Sequence, residues 1–227
     1  MSLIHWWPLT GDLEDKIGGN NLHFPVINDV DYNRGYIVSD ANGKVGTCYA
    51  RTATAQKDFL RTINKIKPLT EETLCGWFLV TQWANKNTAN GLVTHHNHNT
   101  NSGLGIGMYT SDGEKYYTSV NAGNGSKRIH SDANYRGTTD INGSWHHICL
   151  TYKNGTIRMY VDGKEEAMKS NSYSLYNTED YLDLFNWSTG HYTSADYRPV
   201  CKINDVRIYD HALKAEEVRE IAKALAL

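Results

Sequence analysis

Hydrophobic and polar positions alternate through most of this chain. From Trp145 to Lys164, WHHICLTYKNGTIRMYVDGK, two runs rich in β-branched and aromatic residues flank Lys153-Asn154-Gly155. Asn-Gly supplies the positive φ angles that a tight hairpin turn needs. In the second run Ile157, Met159 and Val161 point one way, and Thr156, Arg158 and Tyr160 the other. That period of two predicts a half-buried strand, ended by the turn at Asp162-Gly163. The run TLCGWFLVTQW (73–83) is apolar without alternation, as expected of a central strand covered on both faces. Residues 91–120, GLVTHHNHNTNSGLGIGMYTSDGEKYYTSV, read as strand, polar loop, strand, Asp-Gly turn and strand, with the histidines on the loop.

The C-terminus changes period. In HALKAEEVREIAKALAL, Val218, Ile221, Ala222 and Leu225 fall at i, i+3, i+4 and i+7, one face of an α-helix. Glu216 and Glu217 lie early and Lys223 late, each favoured by the helix dipole. The helix is expected over about 212–225. No linker, low-complexity tract or repeat interrupts the pattern. Many short strands with turn signals between them predict an all-β, antiparallel two-sheet sandwich. One domain over 1–227 is the simplest organisation.

Composition sharpens this reading. Hydrophobic residues are 40 % of the 227, enough for a buried core, and Tyr numbers 15 beside 19 Gly. The formal charge of −2, with no run of Lys or Arg, excludes nucleic acid as a default partner. No segment approaches 18 apolar residues, so no insertion into a membrane is expected. The N-terminus shows no basic-then-apolar signal sequence. Cys48, Cys75, Cys149 and Cys201 lie too far apart in sequence for a zinc knuckle. Cys75 and Cys149 sit in apolar strand-like runs and are expected to be buried free thiols.

HHNHNTNSG (95–103) invites a zinc reading. His95 and His96, as neighbours on a strand, face opposite ways. His96 and His98 share a face, but two nitrogens are too few for a closed site. They are kept as polar candidates for a binding edge.

Three stretches resemble the laminin G-like domains of the concanavalin A-like superfamily: LIHWWPLTGDLEDKIGGNNL at the start, WHHICLTYKNGTIRMYVDGKE in the middle, and INDVRIYDHALKAEEVREI at the end. They stand in the family's order and bracket residues 3–222. The resemblance implies a jelly roll. It also implies that Trp145 packs in the core, with one of His146 and His147 hydrogen-bonded. The family's glycine before the closing strand is replaced by PVCK (199–202), and the insert 170–197 is rich in Tyr and Asn. The RIYDHAL ending is similar to modules of phage and prophage structural proteins.

The superfamily's hydrolases carry Glu-x-Asp-x-x-Glu on a strand, and that spacing is absent here. Glu165-Glu166 are adjacent, and Glu179, Asp180 and Asp183 do not fit it. The chain is therefore expected not to be an enzyme. Related jelly rolls join a carboxylate near the N-terminus to one on the last strand through a structural calcium. By motif that points to Asp12 or Asp15 with Asp205. For a glycan, sugar rings stack on aromatic side chains and their hydroxyls bond to polar ones. Of Tyr173, Tyr176, Tyr181, Trp187, Tyr192 and Tyr197 in the insert, the candidates are Trp187, Tyr181, Tyr192 and Tyr176, with His96 and His98 nearby. The expected function is non-catalytic recognition of a glycan or cell-surface polymer. The expected setting is a phage or prophage tail or virion protein, in a virion or extracellular location, where other virion proteins are candidate partners. The alternatives are a purely structural virion decoration domain and a hydrolase with a non-standard carboxylate pair.

Overall fold

The computed structural model describes residues 2–33, 35–54, 57–82, 90–97, 99–109, 115, 117–125, 128–129, 136–169, 178–189 and 198–224. The strands are β1 (Leu3–Trp7), β2 (Leu22–His23), β3 (Val26–Ile27), β4 (Val30–Asp31), β5 (Ile37–Asp40), β6 (Cys48–Arg51), β7 (Leu60–Thr62), β8 (Glu72–Gln82) and β9 (Asn90–Asn97). They continue with β10 (Ser102–Tyr109), β11 (Tyr117–Gly123), β12 (Arg128–Ile129), β13 (Trp145–Lys153), β14 (Thr156–Val161), β15 (Lys164–Lys169), β16 (Asp183–Leu184) and β17 (Val200–Tyr209). One helix, α1 (Ala215–Lys223), follows.

Two antiparallel sheets stack face to face, as the alternation predicts. The first runs β15-β14-β13-β8-β17-β6-β5, with β1 on the second half of β17; the second runs β12-β11-β10-β9-β16-β7-β2. The Asn154-Gly155 hairpin forms with Lys153 opposite Thr156. β8 lies in the middle of its sheet between β13 and β17, which is why its sequence does not alternate. Leu74, Phe78 and Val80 enter the core between the sheets, while Cys75 faces out under the helix.

That outward face explains one anomaly of the alternation. Ile157, Met159 and Val161 enter the core as expected, yet Tyr160 on the opposite face is also buried. It lies with Cys75, Cys149, Tyr209, Leu213 and Val218 in a second apolar layer, which α1 closes. The helix is shorter than its periodicity suggests and starts at Ala215. The Thr73 hydroxyl donates to the His211 carbonyl (2.7 Å) and accepts from the Leu213 amide (2.9 Å), which holds this lead-in on β8. Lys214 is still extended, and its amide donates to the Glu217 carboxylate at 2.7 Å. Leu225 lies outside the described residues. All four cysteines are buried free thiols, as the apolar runs around Cys75 and Cys149 suggested.

The histidine stretch differs from expectation. β9 extends through Asn97, so His95 and His96 are strand residues opposite Leu104 and Gly103 rather than loop residues. His95 points inward, fully buried, with Nδ1 3.4 Å from the Glu72 carboxylate. Trp145 is half-buried rather than in the core. His146 is the hydrogen-bonded member of its pair, 2.7 Å from Asp162.

Candidate functional site

The expected ligand residues do not form one cluster. Tyr176, Tyr192 and His98 lie outside the described residues, as does the side chain of His96. Trp187 is 4 % exposed, so its ring is packed away rather than offered at a loop tip. The reason lies beneath it. A Cβ at Gly91 would collide with the Asn186 carbonyl and with the Cα of Trp187. Only glycine lets this loop settle onto β9.

Tyr181 is the described candidate whose ring reaches the surface; it is half-buried. Arg61 lies over it at 4.8 Å and Lys65 at 5.7 Å. Arg61 is itself fixed: Nε and Nη2 donate to the two oxygens of Asp183 at 2.7 and 2.8 Å, and Nη2 also donates to the Thr189 carbonyl at 2.8 Å. Phe59 takes the guanidinium at 5.1 Å. The Tyr181 ring therefore rests on a rigid cation, a geometry that favours the aromatic face.

Next to Lys65 opens a cleft of about 420 Å³. Its walls are the N-terminal turn, with His5, Gly18, Gly19 and Asn20, and the segment after β7, with Asn64, Lys65 and Lys67; Ile4, Ile66 and Leu69 supply apolar surface. Asn20 clamps the two walls together. Its side-chain amide donates to the Asn64 carbonyl and its oxygen accepts from the Asn64 amide, both at 2.9 Å.

Asp15 builds the turn. One carboxylate oxygen accepts from the amides of Trp6 (2.9 Å), Ile17 (3.1 Å) and Gly18 (3.0 Å). The other accepts from the Asn20 amide (3.0 Å) and faces His5 Nδ1 at 2.6 Å. Burial raises the Asp15 pKa, but the His5 ring and these amides outweigh it, so the carboxyl is held below its ordinary range. With Nδ1 committed to Asp15, His5 presents Nε2 as its remaining polar atom. Its ring also stacks on the core residue Trp7, 5.3 Å between centroids. A Cβ at Gly18 would collide with His5 Nδ1 and the Ile4 carbonyl.

The same geometry bears on calcium. Asp15 is spent on N–H donors. Asp205 accepts from the Trp6 indole (2.7 Å) and from Arg207 Nε (3.0 Å). Asp12 accepts from the Glu14 amide (3.0 Å) and Lys16 (2.9 Å). Trp6 thus spans the two carboxylates that the resemblance would join through a metal, its amide on Asp15 and its indole on Asp205. Among the described residues no group of three or more His, Cys, Asp or Glu is placed to hold a metal ion. This donor set does not fit a hard cation, which needs six or more oxygen ligands around one point. Excess chelator is accordingly expected to leave the melting temperature unchanged; a drop of several degrees, restored by calcium, would show that a metal is held.

A larger hollow, about 540 Å³, lies between the β13–β14 hairpin and the start of α1. Most of its charged groups are engaged in pairs or a cap, while Lys214 forms no ion pair among the described residues. Lys153 pairs with Glu71 (3.0 Å), Arg158 with Glu165 (2.9 Å), and Glu217 caps the helix. The cleft at the N-terminal turn holds two exposed lysines, Lys65 and Lys67, with no ion pair among the described residues. His5, Asn64, Lys65 and Lys67 were missed in the sequence. INKIKP (63–68) carries no motif, and its alternating lysines read as an ordinary solvated face.

The profile of the concanavalin A-like lectin/glucanases superfamily matches residues 51–219. No curated protein sequence matches the chain. Among solved structures, domain 4 of a GH43 extracellular arabinanase from Geobacillus stearothermophilus, in complex with arabinotriose, is similar over 98 % of both chains, with 19 % identity and a TM-score of 0.68. The binding domain of Paraclostridial mosquitocidal protein 1 (14 % identity, TM-score 0.69) and the receptor-binding domain of botulinum neurotoxin type G (14 %, 0.65) are each matched over 98 % of this chain. The chain spans about half the length of those two, 52 % and 51 %. At these identities the likeness is one of fold.

Proposed function

Because the chain belongs to the concanavalin A-like lectin/glucanases superfamily, in its laminin G-like branch, we propose that it is a non-catalytic module that binds carbohydrate at the cleft beside Tyr181. One observation carries the reading: a half-buried tyrosine, with Arg61 and Lys65 over its ring, adjoins an open cleft that Lys65 lines. Such a surface offers a ring face for stacking and polar groups for sugar hydroxyls. The arabinotriose complex of the arabinanase domain supports a glycan as the partner class.

The carboxylates of the N-terminal turn support binding rather than cleavage. Glycoside hydrolysis needs a carboxyl whose pKa is raised so that it can donate a proton. Asp12, Asp15, Asp40, Glu71, Asp162 and Asp210 are all pushed the other way, mainly by the hydrogen bonds they accept. The setting, a phage or prophage virion protein outside the cell, rests on the RIYDHAL segment (207–213) alone.

A glycan array probed with the whole chain tests the reading. Tyr181→Ala removes stacking worth about 1 kcal/mol and is expected to weaken the array hits about fivefold, while Tyr181→Phe keeps them. Binding that ignores Tyr181, or turnover of a polysaccharide, would count against it.

A further inference from the structure

We propose that the cleft at the N-terminal turn selects an anionic sugar, one whose ring carries a carboxylate or a sulfate ester. This inference rests on the glycan-binding reading and names the class of glycan. Its basis is a local imbalance of charge in a chain whose formal charge is −2. Lys65 and Lys67 line the cleft and are exposed. Neither forms an ion pair among the described residues, unlike Lys153 and Arg158 of the larger hollow. Among the described residues no Asp or Glu lines the cleft; Asp180, bridged to Ile66, is buried and accepts from Asn97 and from the Tyr181 amide. The nearest carboxylate belonging to the turn, Asp15, is buried behind His5 and faces five N–H donors, so it does not offset the two ammonium groups.

The rest of the cleft suits a sugar rather than a bare anion. Ile4 and Leu69 give apolar surface for the C–H face of a ring. Asn64 adds an amide for hydroxyls, and Tyr181 stands beyond Lys65 for a neighbouring unit. A cleft of about 420 Å³ falls within the usual size range of small-molecule sites. Two exposed lysines act as point charges in water, so their effect is modest and screened by salt.

The test is calorimetric titration of the whole chain with three ligands: tetragalacturonate, a sulfated chondroitin tetrasaccharide and neutral arabinotriose. One or both acidic ligands are expected to bind about tenfold tighter than the neutral one at low salt. Which of them gains shows whether the charge is carboxylate or sulfate. The advantage should shrink as sodium chloride is raised. Lys65→Ala/Lys67→Ala is expected to abolish the advantage with an unchanged melting temperature, bringing the acidic and neutral ligands to equal affinity. Lys65→Arg/Lys67→Arg should preserve it. Equal affinity for acidic and neutral ligands overturns this inference and leaves the glycan-binding reading standing. Binding of none of the three, with an empty glycan array, overturns both.

Discussion

Asp15→Ala is expected to lower the stability of the domain by about 3 kcal/mol, which for a chain of this length is a fall in Tm of about 6–12 °C. The side chain is fully buried. It is the common acceptor of four backbone amides and faces the His5 ring. Removing it strands donors that lie too deep for water to satisfy them all. Asp15→Asn keeps one acceptor oxygen but turns an amide donor toward other donors, so an intermediate loss is expected. The pH dependence has a definite sign. The folded-state pKa is below the unfolded one, so this stabilisation is present above about pH 4 and is lost as pH falls through the folded value. The gap between wild type and Asp15→Ala should therefore be widest near neutrality and shrink toward pH 2. Thermal unfolding at several pH values checks this. A gap independent of pH would mean that the carboxylate charge is not what holds the turn.

The second large effect is expected at Asp183. Its side chain is fully buried and takes both prongs of Arg61, whose own side chain is 9 % exposed. Asn186 donates to the same carboxylate at 2.9 Å. Asp183→Ala leaves a guanidinium between Phe59 and Tyr181 without its counter-charge, a loss of about 3–5 kcal/mol. Removing both charges, as in Arg61→Met/Asp183→Ala, should cost less than the sum of the single changes, because no orphaned ion remains. Urea unfolding of the four proteins completes the cycle, and additivity within about 0.5 kcal/mol would refute the coupling. Since Arg61 also supports Tyr181, the Asp183 variant is expected to weaken glycan binding as well.

The two experiments reach parts of the molecule that were unequally legible in the sequence. The hairpin at Asn154-Gly155, the central position of β8 and the C-terminal helix were readable because period and turn chemistry are local properties. The roles of Asp12, Asp15 and Asp205 were not. A carboxylate-rich turn looks the same in sequence whether its oxygens meet a cation or backbone amides. Only the folded turn shows Trp6 donating to both Asp15 and Asp205. Trp187 misled for a related reason. An aromatic residue in a polar segment suggests exposure, yet Trp187 is buried, its backbone lying against a residue that has no side chain, Gly91, nearly a hundred positions away. The cleft lysines carried no signal, because their meaning depends on which carboxylates reach them in space.

The layer beneath α1 has a kinetic consequence. Cys75 and Cys149 stand opposite each other on β8 and β13, closed in by Val218 and Leu213, whereas Cys201 belongs to the core between the sheets. Reagent can reach the first two when a nine-residue helix lifts, but reaches Cys201 only when the sandwich itself opens. These three thiols thus sit behind two barriers of different height, so their order of modification reports separately on undocking of the helix and on unfolding of the domain.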